Sequence, residues 1–343
     1  MPSSNPSAAA LSVSHLSVAF QQQTVLQDLS LSVGSGDIVC LLGPSGCGKT
    51  TALKAIAGLQ ETQTGQIQIL GKTVADGRFN LPTQQRHIGF IFQDYALFPH
   101  LSVADNIGYG LRAQSKTAQQ ARIREMLALV ELEDYAKRYP HELSGGQQQR
   151  IALARALAPN PELLLMDEPF SNIDSQVKRR MMTELRTLIK RSGVTAIFVT
   201  HAKDEAFVFA DKTAVMMNGQ IQQYGTPAEV FSTPASYEVA RFMEAGNLCP
   251  QADIARLFDS TVSPAAPKQQ GYALFQRHRI MVEAADNGIA TLESIQFNGR
   301  GYLLEVGLEG LPDNNWQIEV DQLPACQSGD KVRLSYQGEP ILF

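Results

Sequence analysis

Between positions 11 and 35 apolar and polar residues alternate, most clearly in "DLSLSV", where Leu29, Leu31 and Val33 fall on one face of an extended segment. The "GSG" at 34–36 then reads as a turn. "DIVCLLG" differs in being an unbroken apolar run, the pattern of a strand buried on both faces of a parallel sheet. It leads directly into a glycine loop and a helical stretch, "KTTALKAIAGL". Strand-like pieces recur in "GQIQIL" and "HIGFIFQ". From Asp94 to about Asn160 the period becomes mostly helical, as in "AQQARIREMLALVEL" and "GGQQQRIALARALA". The parallel-sheet pattern resumes with "PELLLMDEP", a helix from about Asp174 to Arg191, the strand "VTAIFVTH", a further helix and "TAVMMNGQIQQYG". Strand and helix alternating on both sides of a helical insertion predict one doubly wound α/β core with its ligand at the carboxyl ends of the strands.

Weak periodicity with Pro250, Pro264 and Pro267 predicts a linker over 237–267. The short alternating runs beyond it, "GYALFQRHRIMVEA", "GIATLESIQF", "GYLLEVGL", "WQIEVDQL" and "DKVRLSY", predict a small all-β sandwich or barrel. The expected organisation is a loose tail over 1–10, an α/β domain over 11–240 and a linker with a β-rich domain over 241–343. Within the α/β domain, a core of 11–93 and 160–240 is interrupted by a helical subdomain, 94–159.

Composition narrows the function classes. With 343 residues, 44% hydrophobic and 18% charged, the chain has room for two or three folded domains. No run approaches the ~18 apolar residues of a membrane helix, and the opening "MPSSNPSAAA" lacks the basic and apolar regions of a secretory signal. The four cysteines, Cys40, Cys47, Cys249 and Cys326, show neither zinc spacing nor a disulfide framework, and reduced thiols are expected. A net charge of −5 argues against a nucleic-acid footprint; the one compact basic run, Lys178 to Arg180, reads as a solvated helix face.

Chemistry concentrates in three stretches. "GPSGCGKT" fits G-x-x-x-x-G-K-[ST] and sits after a buried strand, opening a helix. The loop of Gly43, Pro44, Ser45, Gly46, Cys47 and Gly48 would surround phosphate oxygens with its backbone N–H groups, Pro44 having none to give, Lys49 would reach the β- and γ-phosphates, and Thr50, followed by Thr51, would ligate Mg²⁺. A thiolate at Cys47 is expected from its place at a helix N-terminus. In "LLLMDE" Asp167 leaves a buried strand at its carboxyl end, positioned to hold Mg²⁺ opposite Thr50, and Glu168 is the candidate general base for an attacking water. "LSGGQQQR" offers Ser144 and two glycines at a second helix start.

The last motif, lying shortly before "LLLMDE", resembles the signature of the ATP-binding-cassette (ABC) ATPases, and the likeness covers roughly residues 11 to 235. The resemblance implies a P-loop ATPase core with an inserted helical subdomain. It also implies a homodimer in which Ser144, Gly145, Gly146 and Gln147 of one copy cap the nucleotide of the other. Carried over by position, Phe20 would stack on adenine and Gln93 would contact Mg²⁺ and the attacking water. His201 would hold the γ-phosphate and Glu168 in register, and Ser171 and Asp174 of "SNID" would meet the opposite subunit, although Asn172 and Ile173 depart from the commoner Ala-Leu. Residues from about 243 resemble the oligomer-binding-like (TOBE-type) regulatory domain of importer ATPases, with Gln276, Arg277 and His278 replacing the group's frequent Arg-Pro-Glu. "YALFPHLSVADNIGYGL" and the ending "GEPILF" look closest to ferric-ion importers. The expected protein is an ATPase on the cytoplasmic face of the membrane, working with permease subunits, indirectly with a solute-binding protein, and without nucleic acid. A polyamine, sulfate or other small-solute importer is the alternative, as is, in a different class, a soluble cassette ATPase acting on nucleic acid or ribosomes.

Overall fold

A computed structural model describes residues 9–21, 23–171, 173, 175–258, 271–310 and 315–343. The chain divides into two compact units, Met1–Ala228 and Glu229–Phe343.

In the first unit the alternating N-terminal segment forms β1 (Ala9–Phe20) and β2 (Gln23–Gly34), whose inward residues Leu29, Leu31 and Val33 are buried as the pattern predicts. Ala9 and Ala10, assigned to the expected tail, already belong to β1, and Ala10 is buried; the rest of that stretch lies outside the described residues. With β4 (Thr64–Ile69) and β5 (Lys72–Ala75) these strands make an antiparallel sheet of order β2-β1-β4-β5. A second sheet is built on β3 (Ile38–Leu42), every residue of which is buried, and includes β6 (Ile88–Ile91), β7 (Leu163–Asp167), β8 (Thr195–Thr200) and β9 (Lys212–Met217). These five run parallel in the order β9-β3-β8-β7-β6. "TAVMMNGQIQQYG" is not one strand but a hairpin: β10 (Gln220–Gly225) turns back antiparallel on β9 through Asn218 and Gly219, both at positive φ. Asn-Gly is the dipeptide such a turn requires.

Helix α1 (Lys49–Ala57) lies between the two sheets, touching β2 on one side and β7 and β8 on the other. Residues of both sheets and of α1 share one apolar cluster. Its carboxyl end is held by Arg86, itself fully buried, which donates to the carbonyls of Ala55 (3.0 Å), Ile56 (2.8 Å) and Leu81 (2.8 Å). A buried guanidinium is tolerated here because carbonyl oxygens satisfy its donors.

The insertion is helical as predicted: α2 (Val103–Gly108), α3 (Lys116–Leu129) and α4 (Gly145–Leu157). The core resumes with α5 (Ser175–Ser192) and α6 (Lys203–Phe209), and α7 (Pro227–Ser232) spans the division between the units. Lys178 does not lie on a merely solvated face, since it pairs with Glu205, a carboxylate only 3% exposed.

In the second unit the described part of the expected linker is folded. It forms α8 (Tyr237–Met243), β11 (Asn247–Pro250) and α9 (Ile254–Leu257), with Val239, Met243, Cys249 and Ile254 buried. Pro264 and Pro267 fall outside the described residues. The remaining strands are β12 (Tyr272–Phe275), β13 (Ile280–Ala284), β14 (Ala290–Phe297), β15 (Tyr302–Leu308), β16 (Asn315–Val320), β17 (Lys331–Tyr336) and β18 (Ile341–Leu342). They form a three-stranded sheet, β11-β12-β18, and a five-stranded antiparallel sheet, β13-β17-β14-β15-β16, whose edge strands β13 and β16 approach each other. A five-stranded sheet curling toward closure is the architecture of the oligomer-binding fold.

Candidate functional site

Four adjacent strands of the parallel sheet end level with one another. Leu42 lies opposite Thr200, Val199 opposite Asp167 and Met166 opposite Ile91. The residues that follow directly, Gly43, His201 and Glu168, are therefore delivered to one edge by register, and Gln93 lies two residues beyond the end of β6.

The loop from Gly43 to Gly48 is sterically committed. A Cβ on Gly43 would stand 2.2 Å from the Met216 carbonyl oxygen, and Gly48 adopts φ 102° with Leu26 and Val25 against it. Neither site admits a side chain without moving backbone. Pro44, Ser45 and Gly46 are exposed, whereas Lys49 is buried and donates to the carbonyls of Gly43 (2.8 Å) and Pro44 (2.9 Å). Thr51 is half-buried on the first turn of α1. The expected thiolate at Cys47 is overturned: the side chain is buried, and burial pushes its thiol up, with Lys49, 3.9 Å from the sulfur, offsetting this only in part. Desolvation outweighs the helix dipole at this position.

Opposite the loop, the Thr50 hydroxyl donates to Asp167 Oδ1 at 3.0 Å, joining α1 to the end of β7. Burial raises the Asp167 carboxyl above the usual aspartate range, against the pull of the Thr50 hydrogen bond and of Lys54. One hydroxyl and one carboxylate oxygen, side by side, suit a hard cation that takes its other oxygens from phosphate and water. Among the described residues no cluster of three or more His, Cys, Asp or Glu competes for a metal.

Glu168 has left-handed backbone, φ 44°. Such a conformation persists in a non-glycine residue only where its surroundings enforce it. Its N–H bonds the Val199 carbonyl (3.2 Å), and its own carbonyl accepts from the Ser171 N–H (3.3 Å) and hydroxyl (3.1 Å). The side chain points toward His201, with Oε1 3.5 Å from Nδ1. Strand β6 stops at Ile91, so Gln93 does not end a strand but occupies an exposed turn two residues further on. Phe20 is exposed at the end of β1, where an aromatic face is available for stacking. Asp174 lies outside the described residues.

The signature stretch is not part of this edge cluster. Ser144 caps α4, accepting from the Gln147 N–H at 3.4 Å, while the Gln147 side chain accepts from the Ser144 N–H at 2.9 Å. The groove beside Ser144, Gly146 and Gln147 is completed by Leu132, Tyr135, Val177 and Met181 and by the charged side chains of Glu131, Arg150, Arg180 and Glu184, with no P-loop residue among its walls. Gly145 has open space where a Cβ would stand, and Gly146 meets only the Met181 side chain, 3.6 Å away.

Three residues that the motif reading passed over tie α4 to the segments following β6 and β7 and to α5. Arg155 donates to the carbonyls of Ala96 (2.6 Å) and Tyr95 (2.8 Å), just past Gln93. Arg150 pairs with Glu184 of α5 at 2.5 Å. Gln149 donates to the Pro169 carbonyl at 3.0 Å. Gln149 is buried, whereas Arg150 and Arg155 are half-buried and reach their partners from other sides of the helix.

The ABC transporter family profile matches residues 26–171. The chain is 48% identical over 235 residues to the Fe(3+) ions import ATP-binding protein FbpC of Haemophilus influenzae, covering 68% of this chain and 67% of that protein. It is 42% identical over 323 residues to the sulfate/thiosulfate import ATP-binding protein CysA 2 of Chromobacterium violaceum, covering 90% and 87%. Among solved structures it resembles cbiO1 from Clostridium perfringens, part of the ABC transporter complex cbiONQ, with a TM-score of 0.61 at 28% identity over 68% of this chain and 94% of that one.

Proposed function

Because the chain belongs to the ATP-binding proteins of the ABC transporter family, we propose that it hydrolyses ATP to drive a membrane importer, with ferric iron as the solute. The observation that carries the chemistry is the contact of Thr50 with Asp167 at an edge that also holds Lys49, Glu168 and His201. Phe20 stacks on adenine, and the backbone N–H groups of the Gly43–Gly48 loop other than Pro44, with Thr51, hold phosphate oxygens. Lys49 exchanges the Gly43 and Pro44 carbonyls for the β- and γ-phosphates. Thr50, Asp167 and Gln93 would hold Mg²⁺, which when bound neutralises charge on the β- and γ-phosphate oxygens. Glu168 takes a proton from the water that attacks the γ-phosphorus, ADP leaves, and His201 keeps the carboxylate aligned.

The signature of a second copy caps the same nucleotide through Ser144, Gly145, Gly146 and Gln147, with Ser171 and Asp174 meeting the opposite subunit. Open space at Gly145, and no more than the Met181 side chain beside Gly146, support this, because no backbone of their own chain crowds those glycines. The helical insertion passes closure and release to permease subunits at the cytoplasmic face of the membrane. No helix among the described residues is long and apolar enough to cross a membrane, so a membrane role runs through such partners. Sulfate is the second reading of the solute: the sulfate relative aligns over 90% of the chain, into the β-rich unit, where the ferric-iron relative aligns over 68%.

Glu168→Gln tests the chemistry. It should bind ATP, accumulate as an ATP-dependent dimer and hydrolyse ~10²–10⁴-fold more slowly, as expected for loss of a general base; a monomeric variant of full activity overturns both the base and the two-copy site. Deleting the chain from its host and measuring ferric-ion and sulfate uptake tests the solute. Loss of iron uptake alone is expected, and loss of sulfate uptake alone replaces the assignment.

A further inference from the structure

Gln149 is fully buried in the middle of α4, yet only half of its amide is used. The NH₂ group donates to the Pro169 carbonyl at 3.0 Å, and Oε1 is without a hydrogen-bond partner. The orientation is forced, because proline offers only an acceptor. An orphaned buried oxygen is destabilising, and a leucine of similar size would fill this place without it. Packing alone therefore does not account for a glutamine here.

Pro169 directly follows Glu168, whose left-handed backbone needs support from outside. The support comes from three directions: Val199 of β8, Ser171 in the following turn, and Gln149 from the helical insertion. Only the last belongs to the element that begins with Ser144, and its neighbour Arg150 anchors the same turn of α4 to Glu184 of α5.

We propose that Gln149 is a positioning residue for hydrolysis: it fixes the carbonyl of Pro169, the residue directly after Glu168, so that the carboxylate is aligned only when the signature helix is in its seated position. The two ends of α4 then have different tasks. Ser144 faces the nucleotide of the other copy, and Gln149 reports the helix's placement to the base in its own chain. Each site would thereby be made competent by engagement of the opposite nucleotide. This rests on the reading of Glu168 as the base.

The test is a double-mutant cycle in the full-length chain, with single-turnover hydrolysis of Mg·ATP and ATP binding as readouts. Gln149→Leu should lower the hydrolysis rate about tenfold or more, the scale of a misplaced catalytic group. ATP affinity should stay within about threefold and the melting temperature should be unchanged or higher. In Gln149→Leu/Glu168→Gln the rate should equal that of Glu168→Gln alone, because the residue acts through the base. A wild-type rate in Gln149→Leu, or a loss that adds in full to that of Glu168→Gln, overturns the coupling while leaving Glu168 as base. A Glu168→Gln variant at the wild-type rate overturns the base itself. Gln149→Met, which keeps the chain length without the donor, gives the same readings if the leucine variant does not fold.

Discussion

A methyl group placed on Gly43 would collide with the Met216 backbone at 2.2 Å, whereas one placed on Gly145 would meet nothing within 4 Å. Both glycines belong to stretches that resemble phosphate cradles, and the contrast separates what each is for. The P-loop glycines are required by their own chain, where strand β3, the hairpin at Gly219 and α1 crowd together. The signature glycines are not crowded by the backbone of their own chain, Gly145 meeting nothing and Gly146 only the Met181 side chain, in keeping with the proposal that a second copy uses their bareness. The same contrast holds for the polar groups. Lys49 is buried and satisfied by loop carbonyls, while Ser144 is exposed and engaged in a capping box that water or phosphate can replace.

The largest separation between the two cradles should come from alanine substitution. Gly43→Ala should destabilise the fold by about 1–3 kcal/mol, the usual cost of overpacking, and abolish ATP binding. Gly146→Ala should leave the melting temperature unchanged within the ~0.5 kcal/mol typical of surface changes, while lowering ATPase activity more than about tenfold. Thermal unfolding and nucleotide titration read both, and a stable, ATP-binding Gly43→Ala would break the comparison.

A smaller effect sharpens it within the P-loop side. Asp167 has a carboxyl raised by burial, so the folded state holds this proton more tightly than the unfolded state does. Its charge costs stability above the raised value, and the cost fades as pH falls through the window between that value and the ordinary ~3.9 of an unfolded aspartate. Asp167→Asn should therefore melt higher than the wild type at pH 7, lose this advantage toward pH 4, and lose Mg²⁺-dependent hydrolysis throughout. A variant that melts lower at pH 7 would show that the Thr50 hydrogen bond, not desolvation, dominates there.

What the sequence made legible follows from how local each cause is. Strands β3, β7 and β8 stood out because burial on both faces leaves an unbroken apolar run, and the P-loop because its glycine spacing is dictated by backbone within eight residues. The antiparallel partnership of β1, β2, β4 and β5 was hidden, since alternation reveals a strand's buried face but not its neighbours. The hairpin at Asn218–Gly219 was readable from the dipeptide and was passed over within a longer apolar stretch. Residues 237–257 read as linker because their elements are short and interrupted by Pro250. In the site, Asp167, Glu168 and His201 meet Lys49 and Thr50 at one sheet edge, as their places at strand ends and at the start of the helix after β3 foretold. Cys47 went the other way, because helix position is visible in sequence and desolvation is not. Gln149 was hidden in "QQQ", a run whose one buried member is distinguishable only once α4 is packed.

The place of β3 in the sheet has a consequence for how this chain is made. Its neighbours on both sides, β8 and β9, come from far along the sequence; Gly36, just before β3, bonds the Thr195 hydroxyl 159 positions away. At ribosomal speeds of ~5–20 residues per second, those partners leave the ribosome roughly 10–30 seconds after the strand they flank. Over that interval the most apolar segment of the chain has no sheet to enter, and the P-loop that follows it has no fixed shape. Nascent chains of this architecture are expected to need that one short hydrophobic run shielded, and synthesis stalled before residue 195 is expected to give a product that aggregates rather than one that binds nucleotide, which a ribosome-release assay on a truncated chain reads directly.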